Sequence, residues 1–168
     1  MGFIKAVKHA FKNYVNFRGR TSRSEFWWFF LFMVIVSIAL YIISEVGIAT
    51  SADPQLWNTL AQVGIILNIV WFLATILPAS AIWFRRLHDS NKSGWWYILP
   101  VASGIGGFFL FALSALQNQV LFSAGMGLGL VSGISGLVLL VFALLPSTPG
   151  PNRYGEPQPP TQLKAGKP

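Results

Sequence analysis

The sequence contains no cysteine, only 5 acidic residues and only 2 histidines among its 168 residues. Without cysteine the chain has no disulfide, no thiolate metal site and no thiol nucleophile. Two histidines, His9 and His88, are too few for a multi-histidine metal site. The sequence also lacks GxSxG, HExxH and phosphate-binding P-loop motifs. We therefore predict no catalytic residue, no metal and no cofactor.

Charged residues are scarce as well, at 10% of the chain, whereas 54% of the residues are hydrophobic and the mean hydropathy is +0.57. Soluble globular domains carry about 25% charged residues. A helix crosses the roughly 30 Å hydrocarbon core with about 20 apolar residues. Four stretches reach this length: residues 26–48, 60–84, 95–116 and 120–145. We predict an all-α membrane protein with a four-helix transmembrane bundle over residues 21–148.

Polar and proline residues mark where these helices begin and end. Ser22 and Glu25 have the spacing of a capping box before the first span. Asp53 precedes Pro54 as an N-cap before a proline at the first helical position. Pro146 ends the fourth span because proline cannot continue a helix.

Prolines and polar residues inside the spans have structural interpretations. Pro78 and Pro100 predict kinked helices. Glu45 follows Glu25 by about 30 Å of helix, so it should reach the outer interface. Asn68 lies within the hydrocarbon, where we expect a hydrogen bond between helices. A conduction or substrate path through Asn68 is the alternative.

All 12 lysines and arginines lie on one side of the predicted bundle. They precede the first span, separate the second from the third, or follow the fourth, and the other two loops contain none. Because basic residues accumulate in cytoplasmic loops, we predict that both termini are cytoplasmic. Topology thus accounts for the net charge of +7, and we expect no nucleic-acid partner.

Residues 1–20 read as an interfacial amphipathic helix and a basic linker. Lys5, Lys8 and Lys12 flank a face formed by Phe3, Ile4, Val7, Phe11, Tyr14 and Val15. Such a helix lies in the headgroup region with its lysines toward anionic lipid; a docking or lipid-sensing helix is the alternative. At the other end, residues 149–168 combine a PGPNRYG motif with a proline-rich tail that we predict to be disordered.

Three motifs lie on the predicted cytoplasmic side: NYVNFRGRTSRSEFWWF, RRLHDSNKSGWW and PGPNRYG. Through them the chain resembles, over roughly residues 10–156, the family called domain of unknown function 805. The resemblance implies a small bacterial inner-membrane protein with four spans, and it carries no established activity. The matching residues are Phe17, Arg18, Gly19, Arg20, Arg23, Glu25, Phe26, Trp27, Arg85, Arg86, Leu87, His88, Asp89, Ser93, Gly94, Trp95, Pro149, Gly150, Asn152, Arg153, Tyr154 and Gly155.

We predict that the three motifs form one cytoplasmic cluster around Asp89. A carboxylate near the membrane surface is costly unless it is paired, and arginine can pair with it bidentately. Asp89 should therefore bind an arginine of the FRGRTSR segment or Arg153 and fasten the motifs together; a ligand or catalytic site is the alternative. The candidate cluster is Arg18, Arg20, Arg23, Glu25, Arg85, Arg86, His88, Asp89, Asn152 and Arg153.

Small residues and tryptophans predict the contacts of the spans with each other and with the interface. Small residues allow helices to approach closely, either within one chain or between two copies in a homo-oligomer. The helix-packing candidates are Ser103, Gly107, Gly125, Gly129 and Gly133. The candidate interface anchors, at the starts of the first and third spans, are Trp27, Trp28, Trp95 and Trp96.

The sequence favours a non-enzymatic inner-membrane protein whose basic cytoplasmic rim binds anionic lipid headgroups or a protein partner. A small transporter or channel is one alternative, and a membrane enzyme acting on a phosphorylated lipid is another. A water-lined path from Asn68 would favour the transporter. A pocket that joins Arg23, Arg85 and His88 would favour the enzyme, because phosphate needs convergent donors.

Overall fold

The structure is a computed structural model that describes residues 1–50, 53–114 and 118–156, without the side chains of residues 45–50 and 54. The predicted disorder of the tail after residue 156, the end of the third predicted span and the depth of the Glu45 side chain lie outside the described residues. Within them the regular structure is helical, apart from one backbone bridge between Asn152 and Gly155. The predicted all-α class is confirmed.

Six helices follow one another along the described chain. They are α1 (Phe3–Lys12), α2 (Arg23–Thr50), α3 (Pro54–Asp89), the 3-10 helix η1 (Gly94–Tyr97), α4 (Ile98–Leu113) and α5 (Gln119–Leu144). Four segments are long and apolar enough to cross a membrane, namely α2, α3, η1 with α4, and α5. The four predicted spans are therefore confirmed in number and order.

The helix starts follow the signals in the sequence. Helix α2 begins directly after Ser22. Helix α3 begins at Pro54, and the Asp53 carboxylate accepts the backbone N–H of Gln55 at 2.9 Å. The side chain of Asn118 caps α5 in the same way. Polar N-caps thus set the starts of both helices.

Helix α3 extends beyond the second predicted span. That span ends at residue 84, whereas α3 continues to Asp89 because no glycine or proline interrupts the chain between Pro78 and Gly94. Basic residues in the last turn, Arg86 and His88, also suit the negative end of a helix. The helix stops where Asn91 adopts a positive φ of 57°. RRLHD is therefore helical rather than a loop.

The third span starts with the 3-10 helix η1, so Pro100 falls in the first turn of α4. A proline there removes no hydrogen bond that α4 itself needs. A change from 3-10 to α geometry lies just before Pro100, and the kink there stays a prediction. Pro78 lies inside α3, which continues past it.

The described chain forms two compact units. The first contains Met1–Asn16 and Ser24–Ile82, and the second contains Phe17–Arg23 and the chain from Trp83 onward.

In the first unit, α1 contacts α2 through aromatic rings. Phe3 lies edge-on to Trp28, with 5.9 Å between the ring centroids. Phe11 lies edge-on to Phe29 at the same distance of 5.9 Å. Ile4, on the same predicted apolar face, is 66% exposed. Part of that face is thus used for contact with α2, and part stays on the surface.

In the same unit, α2 and α3 contact each other through small and polar residues. Trp71 Nε1 donates to Ser37 Oγ at 3.1 Å. A Cβ added to Gly64 would lie only 2.7 Å from Ser44 Oγ. The hydrogen bond predicted between Asn68 and another helix is wrong, because its amide donates to the carbonyl oxygen of Gly64, one turn earlier in α3, at 2.8 Å.

In the second unit, α4 and α5 approach closely at two glycines. A Cβ added to Gly107 would lie 3.1 Å from the carbonyl oxygen of Gly125. A Cβ added to Gly125 would lie 2.8 Å from the backbone nitrogen of Phe111. One hydrogen bond crosses this contact, from Ser132 Oγ to the carbonyl oxygen of Pro100 at 2.9 Å.

The predicted packing residues divide into two groups. Ser103, Gly107 and Gly125 are buried. A Cβ added to Gly129 or Gly133 would meet no described atom within 4 Å beyond its chain neighbours and the adjacent backbone of its own helix. Gly129 contributes only its backbone to the contact between α4 and α5, since its nitrogen would lie 3.1 Å from a Cβ added to Gly107. The predicted packing of Gly133 within the chain is wrong, because each four-residue step rotates the position by about 40° around the helix.

Candidate functional site

Asp89, the last residue of α3, is the centre of a buried polar network in the second unit. Its Oδ1 lies 3.0 Å from Arg20 Nε, and its Oδ2 lies 2.5 Å from Arg86 Nη1. The hydroxyl of Ser147 also donates to Oδ2. Arg20, Arg86 and Asp89 are at most 3% exposed. The ion pair predicted between Asp89 and the FRGRTSR segment is thus present, and its partner is Arg20.

Arg20 joins the linker before α2 to the segment after α5. Besides the bond from Nε to Asp89, Nη1 donates to the carbonyl oxygen of Gly150 at 2.7 Å. Nη2 donates to the carbonyl oxygen of Thr148 at 2.6 Å. A buried charge is tolerated when it is paired and its remaining donors are satisfied, and Arg20 meets both conditions. We call the network of Arg20, Arg86, Asp89, Ser147 and Thr148 the arginine clasp.

Arg86 caps the C-terminal end of α5. Its Nε and Nη2 donate to the carbonyl oxygen of Ala143 at 3.0 and 2.9 Å, and Nη2 also donates to the carbonyl oxygen of Leu145. The last carbonyls of a helix have no partner within it and carry its partial negative charge. Since α5 has no basic residue in its own last turn, Arg86 supplies the charge and the donors from α3.

The PGPNRYG motif folds into a tight turn against the end of α3. Gly150 and Gly155 have φ angles of +68° and +115°, which glycine adopts without steric cost. Asn152 and Gly155 exchange two backbone hydrogen bonds of 3.1 and 2.9 Å. Asn152 Nδ2 donates to the carbonyl oxygen of His88 at 2.9 Å, and Oδ1 accepts the Tyr154 N–H at 2.9 Å. Asn152 therefore fixes both the turn and its position.

His88 and Tyr154 stack face to face, with ring centroids 3.8 Å apart and an interplanar angle of 10°. Nδ1 of His88 lies 3.3 Å from the carbonyl oxygen of Gly19, and the ring of Phe84 lies edge-on to His88. The guanidinium carbon of Arg153 lies 4.7 Å from the centroid of the Tyr154 ring. His88 thus contacts the C-terminal motif by stacking.

The structure divides the predicted cluster into buried and exposed residues. Arg20, Arg86 and Asp89 are buried in the clasp, and Arg85 is buried beside it, its carbonyl oxygen accepting the Thr21 N–H at 3.0 Å. The exposed arginines of the cluster are Arg18, Arg23 and Arg153. Glu25 lies in the first unit, where its Oε1 is 2.6 Å from His9 Nδ1 of α1.

Sequence reasoning missed three of these contacts. The contact between His9 and Glu25 was not expected, because a helical wheel places His9 beyond the lysines of α1. Ser147 and Thr148 were also missed, although both the backbone N–H and the hydroxyl of Thr148 donate to the carbonyl oxygen of Asp89, at 3.0 and 3.1 Å. The sequence does offer one signal for Thr148, namely Pro149. A proline disfavours helical conformation in the residue before it and favours an extended one, so the backbone of Thr148 is available for contacts outside α5.

The predicted interface tryptophans lie at the starts of the first and third spans. Trp95 is 76% exposed and Trp96 is 47% exposed. Trp28 is also exposed, whereas the ring of Trp27 contacts the ring of Phe26 edge-on. Their anchoring at a membrane interface stays a prediction.

The arginine clasp is suited to holding segments together. The guanidinium groups of Arg20 and Arg86 are directed at carbonyl oxygens and at Asp89, so their donors are engaged within the protein. Across the part of the chain that the structure describes, no three His, Asp or Glu side chains are grouped to hold a metal ion.

Comparison with known proteins places the three motifs, apart from Asn13, in one matched region. A family model described as a protein of unknown function (DUF805) matches residues 14–156. The inner membrane protein YhaH of Escherichia coli (strain K12) is 32% identical over 145 residues, which cover 86% of this chain and 88% of YhaH. The inner membrane protein YhaI of the same strain is 34% identical over 145 residues, covering 86% of each chain. No solved structure matches.

Proposed function

The chain belongs to the DUF805 family and is similar to two inner membrane proteins of E. coli, and we propose that it binds anionic lipid headgroups through a basic cytoplasmic surface. In this proposal the protein is non-enzymatic, lies in the bacterial inner membrane and keeps both termini in the cytoplasm. The observation that carries the proposal is the contrast between the arginines engaged in the clasp and the exposed Arg18, Arg23 and Arg153.

The clasp explains why only part of the basic cluster would serve a ligand. Arg20 and Arg86 are buried and donate to carbonyl oxygens and to Asp89, so a headgroup would have to displace those bonds. Exposed basic residues near an anionic leaflet contribute about 1 kcal/mol each to binding. Arg18, Arg23 and Arg153 are exposed and carry such charge.

The structure favours lipid binding over the two alternatives from other classes. An enzyme acting on a phosphorylated lipid needs donors that converge on one pocket, but Arg23 is exposed while Arg85 is buried. A transport path through Asn68 would use its side-chain amide, which donates to a carbonyl oxygen of its own helix instead. A protein partner on the same surface would leave lipid binding unchanged in the experiment below.

The orientation can be tested with single cysteines, because the chain has none of its own. Asn58→Cys and Asn118→Cys should react in intact cells with a thiol reagent that does not cross the membrane. Asn91→Cys should react only after the cells are opened. Labelling of residue 91 but not of residue 58 in intact cells would reverse the proposed topology.

Lipid binding can be tested with the triple variant Arg18→Gln, Arg23→Gln and Arg153→Gln. Native mass spectrometry of the purified protein should show reduced retention of phosphatidylglycerol and unchanged retention of phosphatidylcholine. A matched control, Gln55→Glu, Asn58→Asp and Asn118→Asp, changes the net charge equally on the opposite side and should retain phosphatidylglycerol. Equal retention by the triple variant and the wild type would contradict the proposed function.

A further inference from the structure

Arg153 differs from an ordinary surface arginine because its guanidinium group rests on an aromatic ring. The guanidinium carbon lies 4.7 Å from the centroid of Tyr154, while the residue itself is exposed. Arginine stacks on aromatic faces through its planar, delocalised cation. Contact with the ring restricts the positions open to the guanidinium group, and the exposure of the residue leaves its N–H groups accessible to solvent.

The ring that supports Arg153 is itself held in place. Tyr154 stacks on His88 with 3.8 Å between centroids, and His88 Nδ1 lies 3.3 Å from the carbonyl oxygen of Gly19. The backbone N–H of Tyr154 is fixed as well, by a 2.9 Å hydrogen bond to Asn152 Oδ1. A series of contacts thus runs from the end of α3, through two stacked rings, to an exposed cation.

We propose that Arg153 is a preorganised binding residue for a phosphate group, with Tyr154 and His88 as its positioning residues, and that the phosphate is that of an anionic lipid headgroup. A guanidinium group with a fixed plane can bind two phosphate oxygens through two parallel N–H bonds. Preorganisation reduces the side-chain freedom lost on binding. This inference rests on the proposed function and assigns the specific phosphate contact to one arginine.

The inference can be tested with substitutions that keep the positive charge at residue 153 but remove either the planar guanidinium group or the ring that supports it. Arg153→Lys keeps the charge and loses the planar fork, and Tyr154→Leu removes the ring beneath it. Each should lower phosphatidylglycerol retention about fivefold, close to the loss from removing one charge in Arg153→Gln. Arg23→Lys is the matched control at an exposed arginine and should retain the lipid like the wild type. Tyr154→Phe keeps the ring and should also retain it.

The readout is native mass spectrometry of the full-length protein in detergent, with phosphatidylglycerol and phosphatidylcholine as paired probes and thermal unfolding as a check on the fold. If the triple glutamine variant loses phosphatidylglycerol but Arg153→Lys and Tyr154→Leu retain it, the exposed charges bind lipid and the preorganised site is refuted. If the triple variant also retains it, the proposed function itself fails. These two failures are thus distinguishable.

Inorganic phosphate serves as a separate probe for the source of the phosphate. The headgroup assignment predicts that millimolar phosphate leaves phosphatidylglycerol bound, because the lipid is also held by the membrane-spanning helices. Displacement of the lipid by inorganic phosphate from the wild type would overturn the headgroup assignment. It would identify a site for soluble phosphate instead.

Discussion

Helix α5 is held by backbone proximity in its N-terminal half and by an arginine at its C-terminal end. In the N-terminal half, a Cβ added to Gly125 would lie 2.8 Å from the backbone nitrogen of Phe111, so the absence of a side chain makes the contact possible. At the end, Arg86 donates to the carbonyl oxygen of Ala143 from two nitrogens and also binds Asp89. The first contact depends on the small size of glycine. The second depends on the charge of Arg86 and on the direction of its N–H donors.

This difference predicts different responses to substitution. Lipid is as apolar as the helix surfaces, so helix contacts within the membrane depend on close packing and a few hydrogen bonds. Buried ions depend on the completeness of their pairing, because an uncompensated buried charge is expensive. We therefore expect substitutions in the clasp to lower stability more than substitutions at the contact between α4 and α5.

Asp89→Asn should have the largest effect. The substitution leaves the buried guanidinium groups of Arg20 and Arg86 without their carboxylate, which typically costs about 3–5 kcal/mol. Thermal unfolding in mild detergent would measure the loss. Arg18→Gln removes one exposed charge from the same motif and serves as the control, with a change within about 0.5 kcal/mol. Similar unfolding of Asp89→Asn and wild type would show that the clasp contributes little to stability.

The fold could be predicted from the sequence because its determinants are local. Long apolar runs define the spans, and Asp53 with Pro54 marks the start of α3. The end of α3 could not be predicted from hydropathy, which falls at Arg85 although the backbone remains helical to Asp89. Helix geometry tolerates charged residues at a helix end, so a drop in hydropathy does not mark where the helix stops.

The candidate site was predictable in part. A lone acidic residue among arginines indicates an ion pair, and Asp89 does bind Arg20. The choice of Arg20 over Arg18, Arg23 or Arg153 depends on where the C-terminal turn presents its carbonyl oxygens, which is a long-range property. The stacking of His88 on Tyr154 is long-range in the same sense, since 66 residues separate the two rings (154 minus 88).

Gly125→Leu should have the next largest effect. Its new side chain would meet the backbone of α4, which cannot yield as a flexible side chain can, so overpacking should cost about 1–3 kcal/mol. Gly133→Leu is the matched control on the same helix, where an added Cβ meets no described atom of another helix within 4 Å. Thermal unfolding and light scattering of both variants would measure stability and subunit number.

The two readouts separate the packing alternatives. Loss of stability in Gly125→Leu alone supports packing within one chain. A smaller particle for Gly133→Leu would show instead that the outer glycine face joins two copies. Equal stability of Gly125→Leu and the wild type would contradict the close contact between α4 and α5.

Ser132→Ala should have the smallest effect of the three. Its hydroxyl donates to the carbonyl oxygen of Pro100 at 2.9 Å, the hydrogen bond that joins α5 to α4. Such bonds within membranes average about 0.6 kcal/mol, because the separated helices also find partners for their polar groups. Ser135→Ala is the matched control, since that hydroxyl donates to Val131 in its own helix at 2.6 Å. If Ser132→Ala lowered stability as much as Asp89→Asn, the contact between α4 and α5 would be as sensitive to the loss of one polar group as the clasp, and the proposed difference between the two regions of α5 would be wrong.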